Sequence, residues 1–117
     1  MRIVDRVLLM AYNEFNARIA SEELVIVEFY AECNGDCDVT RVAIEELSSQ
    51  MPNRVKHLRI DIDLPHNYPI TKAYNIYSVP TVVLFCNGRI EWRARGVSSS
   101  RQLHKIVVRL LAQTIAL

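Results

Sequence analysis

The chain of 117 residues predicts an α/β sandwich built on a mixed central sheet. Three observations lead there. Two apolar, β-branched runs, LVIVEFY at residues 24–30 and TVVLF at residues 81–85, read as strands covered on both faces. Helical patterns fall between them. Asn87-Gly88 then marks a tight hairpin from the second run into a further strand, because both residues tolerate positive φ. Strands and helices that alternate in this way pack as layers around one sheet.

The elements follow in order. Arg6 to Met10 (RVLLM) reads as a short first strand. Asn13 is a candidate cap for a helix from Glu14 to Ala20 with Phe15 and Ile19 on one face. After the strand at 24–30, residues 36–50 carry Val39, Val42, Ala43 and Leu47 at helical spacing, and Pro52-Asn53 ends that helix. Residues 55–62 alternate apolar and polar side chains, as a strand does. Ile70 to Tyr74 suits a short helix after Pro69. Beyond the hairpin, Ile90 to Arg95 pairs back as the last strand and Gly96 ends it. Ser99 to Gln102 has the form of a capping box. It opens a helix whose buried face carries Leu103, Ile106, Val107, Leu110 and Leu111. The predicted order is β-α-β-α-β-α-β-β-α.

Composition narrows the function classes. Half the residues are hydrophobic, 23% are charged and the net charge is +1, the profile of a globular domain without a basic field for nucleic acid or anionic membrane. One domain over residues 1–117 is expected. No apolar run is long enough to span a bilayer. Asp5 and Arg6 interrupt the apolar start, which makes a poor signal peptide. Three cysteines do not suggest a disulfide framework, so a reducing, cytoplasmic setting is the simplest reading. His57, His66 and His104 lack ligand spacing, no Gly-rich phosphate loop is present, and no metal or cofactor is expected. Cys86 ends a strand and reads as a packing residue. Arg93 and Arg95 share one strand face with Glu91 beside them, the pattern of a solvated edge.

The chemistry concentrates in Glu32-Cys33-Asn34-Gly35-Asp36-Cys37-Asp38, where a strand gives way to a helix. Two thiols at a strand-to-helix turn suggest redox exchange. Their spacing is C-x-x-x-C, and a bridge across it needs an irregular first turn because disulfide geometry is demanding. The acids beside both sulfurs, with the first base at Arg41, predict slower exchange than a basic setting gives. Asn34-Gly35-Asp36 also suits a turn and helix cap with no chemistry at all. Both readings stay open on residues alone.

Four local signatures, in this element order, resemble the thioredoxin family over nearly the whole chain. Phe29-Tyr30-Ala31-Glu32 resembles F-W-A-E at the end of the central strand. Ser78-Val79-Pro80-Thr81 looks like the loop that carries a cis proline opposite the active site. Phe85-Cys86-Asn87-Gly88 resembles the F-x-N-G hairpin, and Gly96 matches a glycine that lines the substrate groove. The segment from Leu64 to Pro69 is slightly longer than usual. The resemblance implies a thioredoxin-like three-layer α/β/α sandwich.

It also implies roles. The family's W-C-G-P-C-K falls on Cys33 to Asp38, so Asn34 takes the place of the attacking cysteine and Cys37 that of the resolving one. Cys33 stands where the tryptophan would be, and becomes the attacking thiol if the loop bulges by one residue. Glu28 matches a buried acid that moves protons for the resolving cysteine, and Arg59 falls near that acid's basic partner. Tyr30, Val79, Pro80, Thr81 and Gly96 would line a groove for an extended peptide, with Val79 offering backbone hydrogen bonds. The implied partners are protein or peptide substrates and a disulfide reductase as electron donor, with no nucleic acid and no membrane. The activity is then atypical, weak thiol–disulfide exchange through Cys33 and Cys37. The alternative is a redox-inactive binding or assembly module that uses the same groove.

Overall fold

The structure, a computed structural model, describes residues 2–21 and 24–115. Its elements are α1 (Ile3–Ser21), β1 (Leu24–Tyr30), α2 (Gly35–Gln50), β2 (Lys56–Asp61), a 3-10 turn (Pro65–Asn67), α3 (Tyr68–Ala73), β3 (Thr81–Cys86), β4 (Arg89–Arg95) and α4 (Ser100–Ile115). The strands lie in the order β2-β1-β3-β4. β1 and β2 run parallel, while β1–β3 and β3–β4 are antiparallel. The mixed sheet is therefore as expected.

The pleat assigns the faces. Leu24 and Ile26 of β1, with Val82 and Leu84 of β3, pack against Ala43, Ile44 and Leu47 of α2 and Leu103, Val107 and Leu110 of α4. The alternate residues Val25, Val27, Phe29, Val83 and Phe85 pack against Phe15 and Ile19 of α1 and Ile70 of α3. Two helices on each face of one sheet give the three-layer α/β/α sandwich. Both strands are buried on both sides, which explains why they read as unbroken apolar runs.

The N-terminal expectation is overturned. Residues 6–10 are not a strand, and Asn13 is not a cap; both lie inside the 19-residue helix α1. Leu8, Ala11, Tyr12, Phe15 and Ile19 recur at helical spacing and turn the less exposed face inward. Asp5 sits in the first turn, where it complements the helix dipole and pairs with Arg2 at 3.0 Å. The far end of α1 is fixed by Phe15, whose ring meets Tyr74 at 5.5 Å and Phe85 at 6.1 Å. Asn16 also accepts a hydrogen bond from the Tyr74 hydroxyl at 2.7 Å. As a result, among the described residues no strand pairs with the outer edge of β2.

Other boundaries shift less. In α2 the buried residues are Cys37, Thr40, Ala43, Ile44 and Leu47, whereas Val39 and Val42 are half exposed. Placing Cys37 inward rotates the helix away from the valines. The hairpin forms at Asn87 (φ 52°) and Gly88 (φ 82°), both left-handed, as a two-residue turn demands. Ser99 Oγ accepts the Gln102 N–H at 3.1 Å and caps α4.

Candidate active site

The site forms where β1 ends and α2 begins. Tyr30 closes β1, and Asn34 is the N-cap of α2 in extended backbone (φ −118°, ψ 115°). Its Oδ1 accepts the Cys37 N–H at 3.0 Å, satisfying one donor of the free helix end. Cys33 precedes the cap in the left-handed region (φ 57°) and is exposed. Cys37, in the first turn, is 2% exposed. The two thiols therefore bracket the helix start, one facing solvent and one facing the core, and neither is bridged. Burial pushes the Cys37 thiol up; the charges of Glu28, Asp38 and Asp36 add to this, and a hydrogen bond with the Ala31 backbone opposes it.

Glu28 lies wholly inside the protein on the α2 side of β1. Register places Arg59 of β2 beside it. Arg59 Nε donates to Glu28 Oε1 at 3.1 Å, and its guanidinium stacks over the Tyr30 ring at 3.8 Å. The predicted partnership between Glu28 and Arg59 is thus present. A third member was not anticipated: His57 Nε2 lies 2.9 Å from the same oxygen. The signal was available, because residues two apart on a strand share a face. His57 and Arg59 must point the same way once β2 is a strand.

The Val79–Pro80 peptide bond is cis, and Pro80 is buried. The Gly96 N–H donates to the Pro80 carbonyl at 2.8 Å, and Thr81 Oγ1 donates to the Ser78 carbonyl at 2.7 Å. Gly96 has φ 83°, a conformation that disfavours any side chain. Phe29 pairs with Thr81 and Thr81 with Arg95. Tyr30, Val79, Pro80, Thr81 and Gly96 therefore gather at the end of the sheet where α2 starts. Cys86 packs against the core cluster that α2 and α4 share with the sheet. Arg93 departs from the solvated edge foreseen for it, since its guanidinium donates to the carbonyls of Tyr74 and Asn75 at the end of α3.

A family model described as thioredoxin matches residues 6–109. The chain belongs to the thioredoxin family. It is similar to the thioredoxin of Chlamydia trachomatis, 31% identical over 98 residues, or 84% of this chain and 92% of that protein. It resembles a thioredoxin-like protein of Synechocystis at 36% identity, over 71% of this chain and 77% of the other. Among solved structures, a mutant thioredoxin from Halobacterium salinarum superposes with a TM-score of 0.75 at 26% identity, covering 84% of this chain and 83% of that one. The oxidised thioredoxin of Plasmodium falciparum superposes at 0.71 with 29% identity, over 83% and 89% of the two chains. Thioredoxins are thiol–disulfide redox proteins that act on protein substrates and are reduced by reductases. Among the described residues of this thioredoxin-family chain, no helix is long and apolar enough to cross a membrane, and no cluster could hold a metal ion.

Proposed function

We propose that this protein carries out slow thiol–disulfide exchange on extended protein segments, with Cys33 attacking and Cys37 resolving. One observation carries the reading: an exposed and a buried thiol flank the α2 N-cap. Cys33 Sγ, as thiolate, attacks a substrate disulfide and forms a mixed disulfide, releasing one substrate thiol. Cys37 Sγ then attacks Cys33 Sγ and releases the second substrate thiol, leaving a Cys33–Cys37 bridge for a disulfide reductase to reopen. Glu28 takes up the Cys37 proton. Tyr30, Val79, Pro80, Thr81 and Gly96 hold the substrate chain, with Val79 pairing as a strand would. A reducing, cytoplasmic setting suits this chemistry.

A second reading is favoured by Asn34. An amide stands in the cap, where it cannot attack a disulfide. If Cys33 does not substitute for it, the groove serves a redox-inactive binding or assembly module. Insulin reduction separates the two: exchange predicts turnover that Cys33→Ser abolishes, and the binding module predicts none in either protein.

A further inference from the structure

Glu28 has one partner more than the family resemblance supplies. Its Oε1 meets Arg59 and His57, while Oε2 is buried without a hydrogen-bond partner among the described residues. His57 sits on β2, the strand whose outer edge no other strand pairs with among the described residues. Its imidazole lies on the α2 side of the sheet with Glu28, and its side chain is 15% exposed. At the edge of β2 the residue, with Arg59 and Tyr30, borders an open cavity of about 380 Å³ between β2, α1 and the 3-10 turn. Glu28 and His57 thus join the protein interior to a solvent-accessible space. Arg59 cannot serve as the proton link, because a guanidinium does not release its proton in proteins. An imidazole exchanges protons near neutrality.

We propose that His57 is the proton outlet of Glu28, the side chain through which the buried carboxyl exchanges protons with water at the β2 edge. The inference rests on Cys37 being the resolving thiol. When Cys37 Sγ–H becomes a thiolate, its proton passes to Glu28. A proton leaves Oε1 for His57 Nε2, and the imidazolium gives one from Nδ1 to solvent at the edge of β2. One proton leaves the thiol, one reaches solvent, and the charges of Glu28 and His57 are unchanged. The titratable and charged groups that share the cavity wall with His57 are Glu14 and Arg18 of α1, Tyr30 of β1, Arg59 and Asp61 of β2, and His66 of the 3-10 turn. Among the described residues, His57 and Arg59 hydrogen-bond the Glu28 carboxylate, and the charge of Glu28 also acts on Cys37 and Tyr30. His57 acts through Glu28, as a positioning and proton-exchange residue.

The test is a single turnover. Cys33 is charged with 5-thio-2-nitrobenzoate as a mixed disulfide, its location is verified by peptide mass, and release of the coloured thiol is followed. Wild type should release it and Cys37→Ser should not. His57→Gln keeps a hydrogen-bonding amide but cannot take up and pass on a proton, and should slow release by about tenfold or more, as loss of a general acid–base group does. His57→Ala should be slowed likewise and recover with added imidazole. Release by His57→Gln at the wild-type rate, or no recovery of His57→Ala with imidazole, overturns the role of His57 alone. Wild type no faster than Cys37→Ser overturns the resolving thiol itself and this inference with it.

Discussion

Asn34 Oδ1 holds the backbone N–H of Cys37 at 3.0 Å, so the residue in place of the family's attacking cysteine is committed to capping α2. The amide supplies what the helix end lacks, an acceptor for a free donor. Asn34→Ala should therefore cost about 1 kcal/mol of stability, the usual loss on removing a polar cap. Chemical denaturation reads this directly, and an unchanged midpoint would mean that the cap does not hold in solution.

Asn34→Cys tests the same position from the chemical side. A thiol there would precede Cys37 by three residues at a helix N-terminus, where the dipole favours a thiolate. Insulin reduction should rise several-fold over wild type. A variant no faster than wild type would place the limit in the surrounding acids Glu32, Asp36 and Asp38 rather than in the missing sulfur.

Cys37 should ionise late. Burial raises its thiol above the ordinary range, so alkylation of Cys37 in the folded protein should reach half its limiting rate at higher pH than for a free thiol, about 8.5. Stability carries the same sign. Above that pH the unfolded chain loses the Cys37 proton while the folded protein retains it, so stability falls as pH rises; below it both states are protonated and Cys37 contributes no slope. Cys37→Ala should flatten this alkaline decline in denaturation midpoints.

Arg93 closes α3. Its guanidinium reaches the carbonyls of Tyr74 and Asn75, and Asn75 is left-handed with φ 55°. Removing a charged donor from two carbonyls should cost about 1.5–3 kcal/mol. Arg93→Ala should show that loss in thermal or denaturant unfolding, and a loss equal to that of the exposed Arg95→Ala would contradict the clamp.

Local rules made much of this fold legible. The cap at Ser99, the Asn87-Gly88 turn and the apolar runs of β1 and β3 all formed where the residues dictated. The N-terminus misled because RVLLM suits a strand as a pentapeptide, whereas only the longer period through Leu8, Tyr12, Phe15 and Ile19 reveals a helix. In α2 the valines at 39 and 42 fit the helical period, yet tertiary packing at Cys37, Thr40 and Ile44 sets the buried face. Glu28 and Arg59 were visible through family register. His57 was not, since its meaning depends on parallel pairing of β2 with β1. Backbone pairing of Gly96 with Pro80 likewise joins residues distant in sequence.

The central claim is that Cys33 and Cys37 act as a pair, and intact mass under controlled oxidation tests it most directly. After mild oxidation and alkylation, the protein should carry label at Cys86 alone and lack the mass of two hydrogens until a thiol reductant restores both sites. Full alkylation of Cys33 and Cys37 under the same oxidising conditions would contradict the dithiol mechanism and leave the Pro80 groove as a binding surface.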